Sequence, residues 1–115
     1  MQYFQYLDMA EDSVSSRRLR ERNAIGHSIE LLATAAENGT GSKESAEALY
    51  FTMQLWAAFA EDLASEENIN PDELKAKLIS IALWFMKEAQ KIRDGHSENF
   101  ASMIEISRTI LDGLQ

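Results

Sequence analysis

Apolar residues recur along most of this chain at three- and four-residue spacing, and no stretch shows the strict alternation of a half-buried strand. The pattern predicts four helices. The first runs from about Val14 to Asn38, with Asp12 or Ser13 as its cap and Gly39 at the position just past its end, and Ile25, Ile29, Leu32, Ala33 and Ala36 share one face. Continued toward the N-terminus, that face meets Arg22 and Arg18, so the first half of the helix should project beyond the core. Ser42 announces a second helix reaching about Ala64, with Leu49, Met53, Trp56, Ala60 and Leu63 as its packing seam.

The third helix has the most explicit start. Asn70 reads as its cap, Pro71 as its first helical residue, Glu73 as the partner in a capping box, and Ile69 with Leu74 as a hydrophobic staple. Its seam is Leu74, Leu78, Ile81, Phe85, Ala89 and Ile92, and it ends at Gly95. Ile79, Leu83, Trp84 and Met86 widen the apolar surface until little but Ser80, Lys87 and Lys91 is polar, which predicts a central position. A fourth helix begins near Ser97 and carries Phe100, Met103, Ile104, Ile110, Leu111 and Leu114 on one face. Short connections predict antiparallel neighbours. The expected fold is all-α: a compact bundle of about four helices over residues 13–115, preceded by an aromatic and acidic N-terminal arm at 1–12.

Length and charge narrow the function. A chain of 115 residues is of single-domain size, and a net charge of −8 opposes general binding to nucleic acid or anionic membrane. There is no cysteine, hence no disulfide, thiolate metal site or cysteine nucleophile. The opening MQYFQYLDMAEDS has neither the basic nor the apolar region of a secretory signal. The longest near-continuous apolar run, Leu78–Met86, is far short of the roughly 20 residues that span a bilayer. A cytoplasmic protein without membrane insertion is expected.

Catalytic and metal motifs are not apparent. His27 and Glu30 stand three apart, but in the reverse order of a Glu-x-x-His pair and without a second copy, and both point away from the Ile25–Ile29 face. His96 falls in a turn. No serine sits in a nucleophile elbow, no glycine-rich loop is built to cradle phosphate, and the pairs Glu61-Asp62 and Glu66-Glu67 lie on an exposed helix end. Neither enzymatic activity nor a cofactor is expected. The run Arg17-Arg18-Leu19-Arg20-Glu21-Arg22 could contact RNA, but no aromatic interleaves the arginines, and a solvated helix end is the preferred reading. Residues 61–73 hold six acids and no base, whereas 75–93 hold five bases and one acid. Acids at the start of the third helix and bases toward its end also suit the helix dipole.

Read in order, Glu61-Asp62-Leu63-Ala64, Pro71-Asp72-Glu73-Leu74, LISIALWFMKEA at 78–89, GHSENF at 95–100 and Ile104-Glu105-Ile106 resemble the FlaF family of flagellar-biosynthesis regulators. Ser28-Ile29-Glu30-Leu31-Leu32 and Leu55-Trp56 keep the same order upstream, and the likeness extends from about residue 2 to Leu114. The resemblance implies a small bacterial cytoplasmic protein that acts in flagellin production and export. It implies flagellin as a direct client, in the manner of a secretion chaperone, and a second regulator, FlbT, as a companion. It supplies no catalytic residue.

Three functional classes follow. The leading one is a flagellin-binding chaperone or regulator; the second is a post-transcriptional regulator of flagellin synthesis acting through RNA or a partner regulator; the third is a structural or homo-oligomeric bundle. For the first, the second helix offers a surface. Phe51 lies about 200° from Leu49 by the helical period, on the side of Glu47, Gln54 and Asp62, and Leu55 and Ala58 follow it at i+4 and i+7. This acid-flanked strip is the expected seat of an apolar flagellin helix, with Tyr3, Phe4 and Tyr6 of the arm closing over it. The competing account is that another helix, or the arm itself, covers the strip as part of the core.

Overall fold

The computed structural model describes residues 14–113, with side chains described from Ser16 onward. Four helices account for most of it: α1 (Val14–Asn38), α2 (Lys43–Ala64), α3 (Asp72–Arg93) and α4 (Phe100–Gly113). There is no strand among the described residues. The proposed caps at Asp12 and Ser13, the arm at 1–12 and Leu114 lie outside the described residues.

The ends of the helices follow from single residues. Gly39 takes φ +94, and its N–H donates to the Ala35 carbonyl at 2.9 Å, closing α1 in the left-handed conformation that glycine adopts without steric cost. Ser42 starts α2: its backbone is extended and its Oγ accepts the Ser45 N–H at 3.0 Å. At the end of α3, Gly95 has φ +82, and the N–H groups of Gly95 and His96 donate to the carbonyls of Ile92 and Lys91. That paired arrangement is a Schellman motif.

The start of α3 differs from the expectation. Pro71 is the cap residue, its carbonyl accepting the Lys75 N–H at 2.9 Å, and no side chain caps the helix. Asn70 is engaged elsewhere, because both its backbone N–H and its side-chain amide donate to Oδ1 of Asn68 at 3.0 Å. The staple is not formed either: Ile69 is 88% exposed and Leu74 42%. Helix α4 starts three residues later than the sequence suggested. Its cap is Asn99, whose Oδ1 accepts the Ser102 N–H at 3.2 Å, while the Ser97 hydroxyl accepts the Asn99 N–H.

Among the described helices, α2 packs against both α1 and α3, and α1 also packs against α4. Helices α1 and α2 run antiparallel, with His27 beside Phe51 and Glu21 in the field of Asp62. The inner elements are therefore α1 and α2. Helix α3, expected at the centre, has α2 as its main partner, and α4 settles chiefly on α1 although it follows α3 in sequence.

The core is continuous, built from Leu32, Ala35, Ala48, Leu49, Trp56, Ala82, Phe85, Ala89, Ile92, Phe100 and Met103. Its faces are rotated slightly from the sequence expectation because small hydroxyl residues enter them. Ser28, Ser45, Thr52 and Ser107 are fully buried, whereas Ala36 is exposed and Met53 and Ala60 are only half-buried. Ser28 pairs within its own turn, donating to the Ile25 carbonyl at 2.7 Å, so a serine can occupy an interior position at little cost.

Candidate interaction surface

The chemistry-bearing residues do not converge. Among the described residues there is no group of three or more His, Asp or Glu that could hold a metal ion. His27 stands edge-on to the ring of Phe51, with centroids 4.9 Å apart and planes at 90°. The backbone N–H of His96 is committed to the Schellman motif and its side chain is exposed. Two shallow depressions open directly to solvent, one lined by Arg22, Asn23, Gly26, His27, Glu30 and Leu111, the other along α4 between Ala101 and Asp112. Neither is enclosed enough to bury a small ligand.

The surface of α2 that the sequence singled out is partly roofed. Phe51 is half-buried beneath His27 of α1, Leu55 is half-buried and packs on the core, and Ala58 is exposed. One edge of this strip is thus bonded to the bundle and the other is wet. Tyr3, Phe4 and Tyr6 lie outside the described residues. Charge gathers at the Ala58 end, where α1 projects past the core: Arg17, Arg18, Leu19, Arg20, Arg22 and Asn23 are all exposed. Glu21 is half-buried among them. Burial raises its pKa above the ordinary value, the nearby Asp62 carboxylate adds to the rise, and Arg17, Arg18 and Arg20 oppose it.

A second connection joins the segments around the α3–α4 turn. Glu88 is buried, and Oε1 accepts the Asn99 side-chain amide at 3.5 Å, the same Asn99 that caps α4. One side chain thereby sets the start of α4 and supplies a donor to a buried acidic group on α3.

The sequence reading assigned the outer apolar residues of α3 to the interior. Leu83 is 47% exposed, and Ile79 and Met86 are half-buried. The signal was present, since a helix apolar around most of its circumference needs covering on every side, and the other three described helices, with α1 and α2 innermost, do not supply that cover. Among the described residues no helix is long and apolar enough to cross a membrane.

A family model described as Flagellar protein FlaF matches residues 2–114, nearly the whole chain. No curated protein and no solved structure matches it.

Proposed function

The chain belongs to the FlaF family of flagellar proteins, and from that premise we propose that it binds flagellin in the cytoplasm and holds it for export. The family match carries this reading. The α2 strip supports it: Phe51 and Leu55 offer apolar area at a helix surface, Ala58 leaves room beside them, and Glu47 and Asp62 border the strip with negative charge. A helix of a client laid there would keep its assembly-prone apolar face out of water until handover. Binding, not catalysis, is the proposed activity, and the co-regulator FlbT is a second proposed partner.

Co-purification of tagged protein from flagellated cells, with partners identified by mass, tests the proposal. Flagellin recovered in stoichiometric amount supports it, and FlbT alone would move the role to regulation through that partner. The exposed arginines of α1 favour one further reading, action on flagellin message. Salt-dependent micromolar RNA binding, abolished by changing Arg17, Arg18, Arg20 and Arg22 to Gln, would establish it in place of the chaperone role.

A further inference from the structure

We propose that the outer face of α3 is a second docking surface, and that its occupant is an acidic amphipathic helix of a partner protein. It is separate from the α2 strip and does not rest on flagellin as the client. Ile79 and Leu83 stand one turn apart on one strip of the helix, and Met86 at i+7 borders it, half-buried with its side chain against the core. The strip lies away from α2: by the helical period Leu83 is about 160° from Phe85, the residue whose ring stacks on α2. Leu83 stands 47% exposed on it.

Charge identifies the occupant. Beyond its first turn, α3 carries Lys75, Lys77, Lys87, Lys91 and Arg93, and its one acid there, Glu88, is buried. Lys77 pairs with Glu73 and Arg93 with Asp94, but Lys87 and Lys91 are exposed and have no ion pair among the described residues. Lys87 follows Leu83 by one turn. From Leu83 toward the C-terminal end of α3 the face is apolar and positive, and on a chain of net charge −8 that half repels basic helices and complements an acidic one. Its specificity would come from the two lysines and its affinity from Leu83 and its neighbours.

The test uses the full chain and three synthetic helical peptides: one with an i, i+4, i+7 leucine strip flanked by glutamates, one with the same strip flanked by lysines, and one with glutamate flanks but serines in the strip. Binding is read from amide chemical shifts. The glutamate-flanked leucine peptide should bind at least tenfold tighter than either control, move the α3 resonances around Leu83, and lose affinity as salt rises. Lys87→Glu with Lys91→Glu should reverse the preference between the first two peptides. Leu83→Ser should weaken the first at least tenfold, and both variants should keep the helical circular dichroism of the parent. Equal binding of the three peptides, or shifts confined to other helices, overturns the proposal. So does a concentration-dependent dimer that Leu83→Ser dissolves, which would make a second copy the occupant. Cross-links from Lys87 or Lys91 to the acidic side chains of residues 1–13 in the isolated monomer would assign the face to the chain's own N-terminal segment, and also overturn it.

Discussion

The indole of Trp56 lies flat on the ring of Phe85, with centroids 4.2 Å apart and planes 3° from parallel. This stack is the joint between α2 and α3, and Phe59 and Trp84 meet it edge-on at 5.1 Å each. Because α2 is the main partner of α3, the attachment of α3 depends heavily on this aromatic cluster. Phe85 is fully buried, so Phe85→Ala should cost about 3–5 kcal/mol in urea unfolding, the range for deleting a buried aromatic ring. A cost under about 1 kcal/mol, typical of surface positions, would mean that the stack does not hold α3 in place.

The same helix pair contains an unneeded hydroxyl. Thr52 is fully buried and its Oγ1 has no hydrogen-bond partner, so folding strips it of water without replacement. Thr52→Val keeps the branched shape and removes the orphan group. It should raise stability by about 1 kcal/mol. An unchanged or lower denaturation midpoint would indicate that a buried water or an unrecognised acceptor satisfies the hydroxyl.

Asn99 is expected to show the opposite sign. Its removal takes away the α4 cap, worth about 1 kcal/mol, and also the amide that Glu88 accepts in a buried setting, worth about 1–3 kcal/mol when left unmade. Asn99→Ala should therefore destabilise by more than an exposed cap would. A cycle with Glu88→Gln separates the two contributions: coupling energy near zero would reduce Asn99 to a cap alone.

These residues also show what a sequence can and cannot disclose. Gly39, Ser42 and Gly95 were legible because a positive φ or an orphan helix N–H leaves few residue choices. Asn70 was misread because Asn68, two residues before it, competes for the same side chain, and local composition does not reveal which bond wins. Ser28, Ser45 and Thr52 were missed as interior residues because hydropathy ranks them polar, whereas packing favours their small volume. Helix α3 was placed at the centre because its apolar circumference was equated with burial. Which helices flank which is a property of topology, and apolar periodicity reads the same for a covered face and a docking face.

The raised pKa of Glu21 predicts a pH dependence with a definite sign. Burial, then Asp62, favours the neutral acid in the folded chain. Stability from a group raised in this way is fully present below its unfolded pKa and is lost as pH rises through its folded pKa. Glu21→Gln should therefore be more stable than the parent at neutral pH, with the gap closing as the medium is acidified through and below the ordinary glutamate range. Thermal melts across pH 3–7 in low salt measure this, at roughly those limits because the unperturbed glutamate pKa is about 4.3. A gap that widens on acidification would show that the arginines, which lower the pKa, dominate instead.

The α2 strip is the proposed seat of a client. Phe51 sits between two environments, with His27 on its edge and solvent beyond, so its truncation tests binding and packing at once. Phe51→Ala with Leu55→Ala should weaken flagellin binding at least tenfold, or about 1.4 kcal/mol, if the strip receives the client. Some loss of stability accompanies this, since Leu55 also packs on the core. Ala58 separates the effects. It is exposed, one turn beyond Leu55 on the same strip, and Ala58→Glu puts a charge into the proposed contact without opening a cavity. That variant should melt with the parent and still lose flagellin, while Tyr50→Ala, exposed on another face of α2, should bind normally. Normal binding by Ala58→Glu would place the client elsewhere and leave Phe51 and Leu55 as the seam between α1 and α2.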